Sequence, residues 1–196
     1  MIAFFLVLLA VSFVSLLLQQ FIPPLEFLHQ ARVLLMPLVL FYGALALPYG
    51  LMLGLAFACG FMWDALSAQV LDAKVAGSMA TTVEIALGWS ILLYATLGSV
   101  MSGFRPLFKR GRWEIHCLMS GVCTSLIVLA EFLMISVRRA ALDHSPFVFS
   151  SDVAWRIGGA GIVALFLAPI VFWILSTLAD LVGYNPRQAA VEKEGP

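Results

Sequence analysis

Residues 2–22 hold no charged side chain, and neither do residues 33–63, 85–104, 115–130 and 157–179. Apolar runs of this length constrain the fold more than any other feature of the chain. A helix crosses the ~30 Å hydrocarbon layer with about 20 apolar residues, at about 1.5 Å per residue. A soluble domain carries charge on near a quarter of its residues; here 11% are charged, 62% are hydrophobic, and mean hydropathy is +1.02. The runs are continuous and do not alternate, which argues against a β-barrel. An open sheet would leave unpaired edges facing lipid. The expected fold is therefore all-α: one integral membrane domain over residues 1–183, built as a bundle of about six transmembrane helices. Residues 184–196 form a polar tail, expected to be disordered.

The breaks between runs set the predicted spans. The first covers residues 2–22 and stops at Pro23-Pro24. It lacks the basic leader and small-residue cleavage site of a signal peptide, so it is expected to be a retained helix. The second covers residues 33–47, with Pro37 tolerable in its first turns, and Pro48-Tyr49-Gly50 reads as a tight turn. The third runs to about residue 66 and ends on Trp63-Asp64. The second and third are short for spans, as in a hairpin that only just crosses. The fourth covers residues 77–101, the fifth 115–137, and the sixth 153–182, with Pro169 expected to kink it. No internal repeat is present.

Lysine and arginine in short loops set orientation. With six crossings, both termini and the loop after the fourth span share one side. That side holds Arg105, Lys109, Arg110, Arg112, Arg187 and Lys193; the other holds Arg32, Lys74, Arg138 and Arg139. The concentrated loop from Arg105 to Arg112 places the termini in the cytoplasm, as expected of an inner-membrane-type protein. Its cations suit anionic lipid headgroups or a cytoplasmic protein. The formal net charge is +0, so no basic face suggests nucleic acid.

Few residues offer chemistry. Glu84 and Glu131 lie within apolar spans, where an ionised carboxylate is costly. Glu84 shares a helical stripe with Gly77, Thr81, Gly88, Ala95 and Ser99, and Glu131 shares a face with Ser120 and Thr124. Each acid is either a hydrogen-bonded contact to a helix or partner protein, or part of a proton or cation path. Asp64 either lines a cavity or marks the membrane boundary with Trp63 as a belt residue. All three acids are expected to avoid lipid. Small residues at Gly50, Gly54 and Ala58, with Ala56 and Gly60 on the next face, permit close helix packing. Cys59, Cys117 and Cys123 read as packing residues. His29, His116 and His144 are too scattered for a metal site. No nucleotide, nucleophile-elbow or phosphate-loop motif occurs, so neither an enzyme nor a cofactor is expected.

One ordered set of motifs goes further. Arg32-Val33-Leu34-Leu35-Met36-Pro37 leads to Ala44-Leu45-Ala46-Leu47-Pro48-Tyr49-Gly50; Gly54, Gly60 and Asp64-Ala65-Leu66-Ser67 follow, and later Ala130-Glu131-Phe132-Leu133-Met134-Ile135. This order resembles the rod shape-determining MreD family of bacteria, over roughly the second to fifth spans. The chain departs from the family pattern after Asp64, where the next glycine is Gly77 beyond an insert containing Asp72 and Lys74. The resemblance implies a non-enzymatic subunit of the cell-elongation machinery. Its implied partners are a bitopic protein of the MreC type and, through it, peptidoglycan synthases and an actin-like filament. The six-helix arrangement of that family is similar to the substrate-binding (S-component) subunits of energy-coupling-factor vitamin transporters, which supplies the alternative function. The first span lacks the alanine-every-four pattern with which those subunits dock. A transport subunit would need a polar pocket of convergent donors and acceptors near one membrane face.

Overall fold

The computed structural model describes residues 1–28, 31–73, 88–106, 113–143 and 150–184. Among the described residues there are six helices: α1 Ile2–Phe21, α2 Met36–Ala46, α3 Tyr49–Ala73, α4 Trp89–Gly103, α5 Trp113–Asp143 and α6 Ser151–Leu181. One 3-10 turn, Glu26–Leu28, and one isolated bridge between Leu25 and Ala31 lie between α1 and α2. Among the described residues the fold is all-helical, consistent with an all-α membrane protein. Four helical stretches are long and apolar enough to cross a bilayer: α1, Tyr49–Leu66 of α3, Glu114–Val137 of α5, and α6.

Each long helix divides its apolar surface between protein and surroundings. On α1, Phe4, Leu8, Ser12, Leu16 and Gln19 recur at helical spacing and are buried. Its opposite face exposes Leu6, Phe13, Leu17 and Phe21. On α6, Ala164, Ala168, Phe172 and Leu175 are buried while Phe166, Ile170 and Trp173 are exposed. Large apolar side chains displayed this densely suit lipid as solvent.

The centre of the bundle is α2. All of its 11 residues are buried, and it touches each of the other five helices. At about 1.5 Å per residue it is roughly 16 Å long, half the hydrocarbon thickness. A helix buried all round must be apolar all round, and Met36–Ala46 contains no charge. Buried helix ends also need partners for their backbone groups. The α2 carboxyl end finds them in distant residues. The Arg105 guanidinium donates from Nε to Ala44 O at 2.9 Å and from Nη2 to Leu47 O. Tyr184 Oη donates to Ala46 O at 2.8 Å while its ring stacks on Phe4 at 4.6 Å. Burial pushes the Tyr184 phenol above its ordinary value, so it remains a donor across the neutral range. These contacts gather the start of α1, the α2–α3 turn, the end of α4 and the end of α6 at one end of the bundle.

Two helix pairs pack through small residues. Gly60 of α3 meets the α4 backbone: a Cβ there would stand 2.5 Å from Ile91 Cα. Gly121 of α5 and Gly161 of α6 meet similarly, and a Cβ on either would stand 2.9 Å from the other's carbonyl oxygen. The packing face of α3 is thus the Ala56–Gly60 face. Gly50 has nothing within 4 Å of its would-be Cβ, and Gly54 makes only ordinary contact with Phe5.

Several expected boundaries move. The second helix starts at Met36 and not at residue 33, because Ala31–Leu35 is non-helical and feeds the cap described below. The third helix does not end near residue 66 but continues to Ala73, carrying Asp72 within it. The fourth does not run unbroken through Gly88, which has φ +103° and precedes a helix that begins at Trp89. Only glycine adopts that backbone freely. Residues 77–87, with Thr81 and Glu84, lie outside the described residues, as do Lys109, Arg110, Arg112 and the tail from residue 185. The break at Gly88 removes the expected continuous stripe from Gly77 to Ser99.

Candidate functional site

At the other end of the bundle, where α1 finishes, α4 begins and α3 passes with Trp63, Asp64 and Leu66, lies a cavity of about 450 Å³. Two polar residues build its frame, each by capping a helix. Gln19 Oε1 accepts from Leu35 N at 3.1 Å and Met36 N at 3.4 Å. One amide thus holds the amino end of α2, whose first N–H groups have no partner within the helix. Asp64 Oδ2 accepts from Gly88 N at 2.7 Å, which seats a carboxylate at the positive end of the α4 dipole. Both side chains are more than nine-tenths buried, Gln19 at 8% exposed and Asp64 at 4%. Each leaves its second polar atom unpartnered: Gln19 Nε2, a donor, and Asp64 Oδ1, an acceptor. Both residues line the cavity.

Glu131, from α5, lines the same cavity. Arg32, Trp63 and Asp64 line the cavity alongside it. The Tyr94 hydroxyl, buried and unpartnered, also feels Glu131 and Asp64. Trp63 and Trp89 provide aromatic walls, and Leu34 and Met134 apolar ones. Arg32 is exposed at this end. The arrangement can hold a small polar molecule by charge and hydrogen bonding. Among the described residues, no three His, Cys, Asp or Glu side chains converge as a metal site.

The structure therefore brings Asp64 and Glu131 together, and Glu84 lies outside the described residues. Ser120 and Thr124 do not serve Glu131: their hydroxyls donate to His116 O and Ser120 O of their own helix, each at 2.7 Å. Of the basic loop, Arg105 turns inward to cap α2, and its guanidinium is committed to protein and not to headgroups. Asp180 is exposed near the end of α6, as an interfacial charge should be. Cys59, Cys117 and Cys123 are buried free thiols. Gln19 is not among the residues expected from the sequence to form a site, and Arg32 enters there only as a loop cation and the start of a motif. The adjacent Gln19-Gln20 at the end of a charge-free helix was the available clue, because two amides there are costly without partners.

No protein-family model, curated protein or solved structure matches this chain.

Proposed function

We propose that the chain is a non-enzymatic, multi-pass subunit of the bacterial cell-elongation complex, which supports peptidoglycan synthesis by binding a bitopic partner of the MreC type. The observation that carries this reading is the convergence of two MreD-like motifs. Asp64 of Asp-Ala-Leu-Ser and Glu131 of Ala-Glu-Phe are far apart in sequence and line one cavity. Motifs that matter to one function are expected to share one place in the fold. The Leu47-Pro48 turn of the same pattern is where Arg105 caps α2. Peptidoglycan synthases and an actin-like filament join through the bitopic partner. Clean deletion of the gene in a rod-shaped source with no second copy should give rounded cells. Unchanged rods would count against the reading.

In this reading all six helices cross or enter the cytoplasmic membrane, with both termini inside. The short helix α2 completes its passage with the non-helical segment Ala31–Leu35, in which Ala31 and Leu34 are buried. Labelling in spheroplasts checks this orientation, in a background without the native cysteines. Arg32→Cys should react with an impermeant maleimide directly, and Lys109→Cys only after the membrane is opened. The reverse pattern would invert the topology.

The cavity favours a second reading, a substrate-binding subunit of an energy-coupling-factor-type vitamin transporter. A polar recess of this volume near one membrane face is what such a subunit needs. Protein purified with a stoichiometric vitamin would select it.

A further inference from the structure

The cavity has a polarity of its own, and it does not depend on either functional reading. Its lining includes two carboxylates, buried Asp64 and half-buried Glu131, and Asp64 Oδ1 has no partner in the protein. Another part presents donors, Gln19 Nε2 and the exposed Arg32. A buried polar atom without a hydrogen bond is costly, so two around one cavity call for an explanation. Among the described residues no three His, Cys, Asp or Glu side chains converge as a metal site. A primary ammonium does fit. It carries three N–H donors, enough to serve Asp64 and Glu131 together, and indole faces favour a cation. Trp63 and Trp89 supply such faces, and tryptophan pairs at a bundle end mark the headgroup level of a membrane. Arginine recognises phosphate through a bidentate fork.

We propose that this cavity binds the aminoethyl-phosphate group, its ammonium between Asp64 and Glu131 and its phosphate toward Gln19 and Arg32. Two carriers share that chemistry: a water-soluble phosphoethanolamine and the headgroup of an ethanolamine phospholipid. The apolar walls at Leu34 and Met134 pack the short aliphatic link.

The test uses the full chain in phosphatidylcholine nanodiscs, with tryptophan fluorescence as the readout. Phosphoethanolamine is titrated in solution, phosphocholine is titrated alongside, and a parallel series incorporates phosphatidylethanolamine into the disc. A saturable response to either ethanolamine compound is expected. The choline counterpart, which has no ammonium N–H, should bind at least tenfold more weakly. A response to the soluble compound assigns a solute; a response to the phospholipid alone assigns a lipid headgroup. Two variants probe the polar frame. Gln19→Glu keeps an oxygen for the Leu35 and Met36 N–H groups and removes the donor. Asp64→Asn keeps an oxygen for Gly88 N and turns the free acceptor into a donor. Each should weaken binding at least tenfold. The proposal is overturned by the absence of a saturable response, by equal binding of ethanolamine and choline compounds, or by wild-type affinity in either variant. If the variants do not accumulate, the ethanolamine–choline comparison on the unaltered protein decides alone.

Discussion

Valine at Gly60 is expected to eliminate folded protein, while alanine at Gly50 of the same helix leaves it intact. The difference is geometric. A Cβ at Gly60 would lie 2.5 Å from Ile91 Cα and 2.6 Å from Ile91 N, and backbone atoms of a packed helix cannot swing aside as a side-chain tip does. Overpacking a close interface costs about 1–3 kcal/mol even for modest insertions. Valine adds a branched group where no Cβ fits, so α3 and α4 must separate. That loss is a large part of a total stability of about 5–15 kcal/mol. It also tears the frame of the cavity, because Asp64 holds the start of α4 from one turn further along α3. Gly60→Ala should be intermediate. At Gly50 a Cβ meets nothing within 4 Å, and Gly50→Ala should change the melting temperature little. Fluorescence-detected size exclusion of heated detergent extracts ranks the three. Equal melting of Gly60→Val and the unaltered chain would show that these helices do not pack as described.

The second large effect is at Arg105. Arg105→Met keeps an unbranched side chain like the arginine stem but strips the donors from Ala44 O and Leu47 O. Two buried carbonyls left unpaired cost about 1–3 kcal/mol each, or roughly 2–6 kcal/mol together. Lysine offers a point charge in place of a planar fork and should recover only part of the loss. Tyr184→Phe leaves one carbonyl unpaired, Ala46 O, but keeps the stack on Phe4, so about 1–3 kcal/mol is expected. The order of stability should be unaltered, Tyr184→Phe, Arg105→Lys, Arg105→Met, measured by denaturant titration in one detergent. An exposed arginine that only meets lipid headgroups would give no such order.

What the sequence makes legible follows from what hydropathy senses. Burial in lipid or protein requires apolar residues, so the long helices stand out: α1, α5 and α6 begin or end close to where their charge-free runs do. Hydropathy does not sense backbone dihedrals or side-chain caps. Gly88 sits inside an apolar run, yet it has a positive φ, its N–H is held by Asp64, and the helix begins only at Trp89. The start of α2 is set by Gln19 reaching back from α1, a contact with no periodicity to reveal it. The persistence of α3 to Ala73 is hidden for the reverse reason: Asp64 and Asp72 look like a loop, yet a helix carries charge readily at a membrane boundary. The site was legible in part. Asp64 and Glu131 stood out because acids in apolar runs are costly. Their partners Gln19, Arg32 and Trp89 did not, because each has an ordinary reason to occur near a helix end.

The most direct test of the account is capture of the protein from native membranes. A tagged chain expressed from its own locus and extracted in mild detergent should bring with it, in stoichiometric amount, a bitopic protein of the MreC type. Recovery of a transporter's ATPase and transmembrane subunits in that role, without the bitopic protein, would contradict it.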